Sequence, residues 1–168
     1  ASPSVDQIVS AIRNGNNGNG VSCVLGNYGG DVMNFEMACE IVKSEGIETK
    51  MIIVSDDIAS ASNEDKLKRR GIAGLIFAFK IAGASSENGA SLEEVYDLTL
   101  KANNNLRTIG VAVSSCILPE AGKPTFELEN DEIEIGMGIH GEPGIKREKL
   151  RKADLLVDDL CKIIFEDF

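Results

Sequence analysis

The chain has 168 residues and a formal net charge of −10 from 27 Asp and Glu against 17 Lys and Arg. That balance excludes a nucleic-acid binder, which needs clustered cations to meet phosphates. A hydrophobic fraction of 43% beside 26% charged residues describes a globular chain, without the roughly 18-residue apolar run of a membrane span or the pattern of a signal peptide.

Ser2-Pro3 reads as the start of a first helix, with Val5, Ile8, Val9 and Ile12 on one face. Residues 14–20 (Asn-Gly-Asn-Asn-Gly-Asn-Gly) form a turn-rich break; no Lys-Ser or Lys-Thr follows at the offset of a phosphate-binding loop. Residues 21–25 read as a short buried strand and 26–30 (Gly-Asn-Tyr-Gly-Gly) as a loop, and Asp31 opens a helix running to Gly46 as its C-cap. Residues 51–54 (Met-Ile-Ile-Val) are a second buried strand ending at Asp56-Asp57. Strand, helix and strand in this order predict a parallel crossover unit.

Residues 56–70 are polar and predict a long loop, whereas 71–84 are apolar almost all round and predict a helix buried in the middle of the fold. Ser91 and Glu94 have capping-box spacing for an amphipathic helix through Leu100, closed by Asn103-Asn104-Asn105. A strand over 109–113 follows, and then Phe126, Leu128, Ile133 and Ile135 alternate about Asn130-Asp131 as a hairpin would. The last helix is predicted over 148–165, with Leu150, Ala153, Val157, Leu160 and Ile164 inward. The fold class is therefore α/β: a mixed or parallel sheet flanked by helices over residues 1–105, followed over 106–168 by the start of a second α/β domain. There is no internal repeat. Cys23, Cys39, Cys116 and Cys161 lack metal or redox spacing and read as buried free thiols of a reducing cytosol.

Residues 136–144 (Gly-Met-Gly-Ile-His-Gly-Glu-Pro-Gly) hold His140, the only histidine in the chain. Glycines on both sides let backbone approach a ligand closely, and an imidazole suits addition to a carbonyl or proton transfer near neutral pH. A tight turn carrying an incidental ring is the plain alternative. Gly136-x-Gly138-x-x-Gly141 also matches a dinucleotide fingerprint, but Pro143-Gly144 interrupts the helix such a site needs, which argues against a nicotinamide oxidoreductase. A better pairing sets the His140 loop beside the 26–31 loop, which leaves the C-terminal end of a buried strand and reaches a carboxylate, Asp31. That carboxylate reads either as an N-cap or as a general base toward a substrate hydroxyl.

Residues 136–145 closely resemble the covalent substrate site of the dihydroxyacetone kinase family, in its substrate-binding K subunit or the equivalent domain of the single-chain kinases. Asn27-Tyr28-x-Gly30-Asp31-x-x-Asn34-Phe35-Glu36 resembles the family's other substrate loop. Arg69-Arg70-Gly71, the Cys116 segment to Pro119, and Ala121-Gly122-Lys123-Pro124 follow in the family's order, so the resemblance spans nearly the whole chain. It implies that His140 adds to the ketone carbon of dihydroxyacetone or a related small ketose as a hemiaminal, which rejects polyols of similar shape. It implies that Asp31 acts on the hydroxyl that receives the phosphoryl group. The donor is implied to sit on a separate nucleotide-binding kinase subunit or domain, as ATP or as a tightly held ADP with Mg that a phosphotransferase relay recharges. No cofactor is then bound by this chain itself. A cytoplasmic homodimer is implied as well. The rival reading is a non-enzymatic paralogue that binds dihydroxyacetone and regulates transcription.

Two departures stand out. The family's upstream glycine-rich loop ending in a second histidine is absent, so a chain that opens at Ala1 without Met is expected to be an internal segment, inactive by itself. Gly26 stands where the bacterial subunit has a lysine near the substrate. Loss of that ammonium is expected to leave space and to favour a larger acceptor such as a four-carbon ketose. Arg69-Arg70 with Lys66 and Lys68 is the single basic cluster and reads as a solvated loop, with a partner's nucleotide phosphates as the functional alternative.

Overall fold

The computed structural model describes residues 2–117, 119, 120 and 122–168; Ala1, Leu118 and Ala121 lie outside them. Helix α1 (Val5–Gly15) begins two residues later than the sequence suggests. Ser4 is its N-cap, in a capping box with Gln7, and Pro3 precedes the cap. The Ser4 hydroxyl accepts the Gln7 N–H at 3.3 Å and the Gln7 side chain accepts the Ser4 N–H at 2.9 Å, an arrangement proline cannot supply.

Strands β1 (Val21–Gly26) and β2 (Thr49–Val54) pair in parallel, Val21 opposite Thr49 through Gly26 opposite Val54, with α2 (Gly29–Lys43) as the crossover. Helix α2 stops at Lys43 rather than Gly46; Gly46 instead takes the left-handed backbone (φ +81°) in the turn beyond. Alternate strand residues serve opposite faces. Cys23 and Met51 meet Ile8, Val9 and Ile12 of α1 and Ala38 and Val42 of α2. Val24, Ile52 and Val54 meet Leu75 and Ala78 of α3 (Leu75–Glu87) and Tyr96 of α4 (Leu92–Asn104). The parallel sheet flanked by helices is thus the predicted one.

Helix α3 is not buried all round: only Ala78 and Ala82 are buried, while Ile76, Phe77 and Phe79 are more than half exposed. One face packs on β1 and α4, and the small alanines allow that close approach; the other face is open. Helix α4 keeps its predicted capping box, the Ser91 hydroxyl accepting the Glu94 N–H at 3.3 Å and Glu94 accepting the Ser91 N–H at 2.8 Å. Ser91→Ala is expected to cost about 1 kcal/mol, read as a lower urea midpoint at constant slope. An unchanged midpoint would mean that packing alone holds α4.

The second part differs more from expectation. Strand β3 is only Val111–Ala112, and it pairs antiparallel with β4 (Glu132–Ile135), which pairs antiparallel with β5 (Lys146–Lys149). No hairpin forms about Asn130-Asp131; the hairpin is β4–β5, and its connection is the histidine loop. Helix α5 (Ala153–Glu166) starts after β5 rather than at 148, and its inward stripe is Leu156 and Leu160 on Ile133 and Ile135, leaving Leu150 and Val157 exposed. Acidic and basic alternation in 146–149 belongs to an edge strand, whose cross-strand pairs include Glu134 with Arg147. Of the four free thiols only Cys23 is buried; Cys116 and Cys161 are exposed because they lie outside the packed faces. No described helix is long and apolar enough to cross a membrane.

Candidate functional site

Strand β2 ends in two carboxylates that are fully buried, Asp56 and Asp57. Asp56 accepts the N–H groups of Ile72 (2.9 Å) and Gly74 (2.8 Å) and the hydroxyl of Thr108, seating the start of α3 beside the strand end. Asp57 pairs with Arg70, whose Nε lies 2.8 Å from Oδ2. Burial pushes the Asp57 carboxyl above its ordinary range, and the Arg70 guanidinium opposes that shift.

The arginines are therefore not a solvated cluster. Arg69 is 1% exposed, with Nη1 and Nη2 at 2.7 and 2.5 Å from the two oxygens of Asp167 and Nε donating to the Ala61 carbonyl. Asp167 also takes Arg107, and the hydrogen bond from Arg69 leads the effects that hold its carboxyl below the usual range. Chain distance hid these pairs: Arg69 and Asp167 are 98 residues apart. Lys68 is exposed and, among the described residues, pairs only with Asp65.

Arg70 carries the network into the histidine loop. Its Nη2 donates to the Gly136 carbonyl at 3.1 Å, and its Nη1 stands 3.7 Å from Glu142 Oε2. Each glycine of the fingerprint-like run has a local cause. Gly136 (φ +80°) and Gly141 (φ +88°) take the left-handed backbone that turns the chain out of β4 and back toward β5. At Gly138 a Cβ would collide with Glu142 Oε2 and Arg70 Nη1, so the carboxylate and guanidinium fill the side-chain space. A strand, not a helix, follows the run, as Pro143-Gly144 indicated.

His140 stands at the tip of this loop with its ring 58% exposed. Its Nδ1 lies 3.1 Å from Glu142 Oε1, and its backbone N–H donates to Oε2 of the same carboxylate. Burial raises the Glu142 carboxyl, but its own N–H and those of His140 outweigh this and hold it below the usual range. The Tyr28 ring meets the imidazole edge-on at 4.8 Å between centroids. Burial, with the Glu142 charge next, pushes the Tyr28 phenol up to about 12, so it stays protonated.

Tyr28 links the two predicted loops. It is the N-cap of α2 and makes no side-chain cap bond, so Asp31 is not the cap but the third residue of the first turn. The Tyr28 N–H goes to the Gly26 carbonyl at 2.9 Å, which leaves the Asp31 carboxylate outside any capping box. Asn27 fixes the loop by donating to the carbonyls of Leu67 (2.9 Å) and Arg69 (2.8 Å). The room expected beside Gly26 is occupied: a Cβ there would stand 3.1 Å from the Gly71 carbonyl and 3.2 Å from the Tyr28 ring. His140, Asp31 and Gly26 are the site residues the sequence puts forward, and Tyr28 and Arg70 enter there only as parts of motifs; Glu142 and Asp57 receive no role there, although Glu142 sits two residues from the histidine.

The Dak1 domain pattern matches residues 1–168. The chain belongs to the Dak1 family. Among Dak1 relatives, the dihydroxyacetone-binding subunit DhaK of a PTS-dependent dihydroxyacetone kinase from Lactococcus lactis subsp. lactis is 46% identical over 167 residues, 99% of this chain and 50% of that protein. An L-erythrulose 1-kinase of Mycolicibacterium smegmatis is 44% identical over 164 residues, 95% of this chain and 29% of that protein. The crystal structure of the dihydroxyacetone kinase of C. freundii superimposes with a TM-score of 0.90 at 36% identity, covering 100% of this chain and 30% of that one. This Dak1 chain thus spans about half the length of the first relative and under a third of the other two.

Proposed function

We propose that this chain is the ketose-binding part of a dihydroxyacetone-type kinase, a phosphotransferase acting on an alcohol group. Its His140 holds the ketone as a hemiaminal, while a separate nucleotide-binding subunit or domain supplies the phosphoryl group, either from ATP or from a tightly held Mg-bound ADP that a phosphotransferase relay has rephosphorylated. The observation that carries this reading is the glycine-framed His140, ring exposed and Nδ1 held by Glu142, beside the Tyr28 loop that leads to Asp31.

Hemiaminal formation needs a nitrogen lone pair facing open space, and the half-exposed ring presents one. Phosphoryl transfer depends chiefly on positioning and electrostatic stabilisation, so an acceptor module separate from the donor module is chemically sufficient. Asp31 is the base toward the accepting hydroxyl, and Gly26 borders the substrate through the Tyr28 ring that packs on it. Similarity to both a dihydroxyacetone-binding subunit and an L-erythrulose kinase supports an acceptor range that includes a four-carbon ketose. The functional division falls near Asn105, with Asp31 in 1–105 and His140 in 106–168, and the working form is a cytoplasmic homodimer.

The test uses the full-length protein with carbonyl-¹³C dihydroxyacetone and carbonyl-¹³C erythrulose, followed by NMR in wild type and His140→Ala. Conversion of the ketone carbon to a tetrahedral one in wild type alone is the expected result. A ketone signal unchanged in both proteins would return His140 to the role of a turn residue. Phosphorylation of the bound ketose then separates the kinase from a ligand-binding regulator, which would form the adduct and leave the hydroxyl unmodified.

A further inference from the structure

We propose that Glu142 is a positioning residue that fixes His140 in the Nδ1–H tautomer, and that Arg70, paired with the buried Asp57, holds Glu142 in place for that purpose. This inference rests on the proposed hemiaminal chemistry for its consequence, but its structural half concerns the free protein.

An ionised carboxylate offers acceptors only. The ring nitrogen 3.1 Å from Glu142 Oε1 therefore carries the hydrogen, and a neutral imidazole has one N–H to give. Nε2 is left with the lone pair, on a ring more than half exposed. The opposite tautomer would set the Nδ1 lone pair against a negative oxygen. Glu142 is itself held: Oε2 takes the His140 backbone N–H, and Arg70 Nη1 stands 3.7 Å away. The Tyr28 ring, edge-on to the imidazole, steadies the other member of the pair. Arg70 does not swing freely, because Nε is tied to Asp57 at 2.8 Å and Nη2 to the Gly136 carbonyl at 3.1 Å. Glycine at 138 is what admits the carboxylate and guanidinium so close to the loop backbone.

In the adduct-forming step the Nε2 lone pair forms the N–C bond, and the π pair of the ketone moves to its oxygen. The ring, cationic once bonded, gives its Nδ1 proton to Glu142, and the oxygen takes one proton from water, to which Glu142 returns its own. The product is a neutral hemiaminal, with nothing oxidised or reduced. A carboxylate at Nδ1 thus selects the nucleophilic nitrogen and stabilises the cationic ring as the bond forms.

Glu142→Gln keeps the shape but presents an amide that can turn either its oxygen or its NH₂ toward Nδ1. The experiment is ¹⁵N NMR of full-length wild type, Glu142→Gln and Glu142→Ala, the His140 ring being identified by its disappearance in His140→Ala, followed by titration with carbonyl-¹³C dihydroxyacetone. Wild type is expected to show a protonated Nδ1 and a bare Nε2, and both variants a mixture of tautomers. Adduct affinity should fall by about 10- to 100-fold, with KM rising by a similar factor and kcat changing far less. A wild-type ring protonated at Nε2, or variants with unchanged tautomer and adduct affinity, would overturn the proposal. An Nδ1–H ring in wild type with no adduct leaves the tautomer assignment standing and sinks the proposed function instead.

Discussion

Asp31→Asn in the full-length protein, supplied with its phosphoryl donor, is expected to form the ketose adduct as wild type does and to slow phosphoryl transfer by roughly 10²–10⁴. The substitution preserves the shape of the side chain and removes only its ability to take a proton. No capping role competes for the Asp31 carboxylate, since Tyr28 holds the cap position and its N–H is already spent on the Gly26 carbonyl. Tyr28, three residues before Asp31, touches the His140 ring, so the loop that carries Asp31 is registered against the loop that carries His140. Single-turnover kinetics beside the ¹³C adduct signal make the check. A rate loss under about tenfold would remove Asp31 from proton transfer, and loss of the adduct would make it a binding group. Glu142→Gln should behave in the opposite sense: the Asp31 variant moves kcat, the Glu142 variant KM.

The elements that could be read from the sequence are those whose signals are local. The crossover unit β1–α2–β2 follows from two apolar runs separated by an amphipathic stretch, and the α4 cap from Ser91 and Glu94 three residues apart. Elements fixed by distant partners were not legible. Residues 126–131 alternate as a strand does, yet β4 finds its partners in β3 and β5, because Ile133 and Ile135 bury against Leu156 of α5. Helix α3 is apolar all round, which periodicity reads as burial, although only its alanine face is packed. The site divides in the same way. His140 and Asp31 stand out by residue type and by glycine context, whereas Arg69 and Arg70 look like surface charge until Asp167 and Asp57 are seen to neutralise them. Glu142 carried a usable signal: an acid two residues from a lone histidine, across a glycine, can reach back to the ring.

The largest stability effect is expected at Asp56, a residue that looks like the polar end of a strand. It is fully buried and accepts three hydrogen bonds, from the Ile72 and Gly74 N–H groups and the Thr108 hydroxyl. These tie the end of β2 to the start of α3 and to the segment that leads into β3, where Asp57 and Thr108 form a parallel bridge. The packing is close enough that a Cβ on Gly74 would stand 2.6 Å from the Asp56 carboxyl carbon. Asp56→Ala strands all three donors, each at about 1–3 kcal/mol where water cannot reach, so a loss of about 3–5 kcal/mol is expected in urea unfolding. Asp56→Asn should recover only part of it, because the amide NH₂ replaces a carboxylate oxygen that faces a backbone N–H, and of the three partners only the Thr108 hydroxyl can turn to accept from it. Thr108→Val, which removes a single bond, should cost about 1 kcal/mol. A loss near 1 kcal/mol for Asp56→Ala would mean that water enters and satisfies the stranded groups, and the junction would then be held by apolar packing of Ile52, Val54 and Ala78 instead. Because Asp57, the next residue, aims Arg70 at the histidine loop, the same variant should also loosen His140, lowering adduct affinity along with stability.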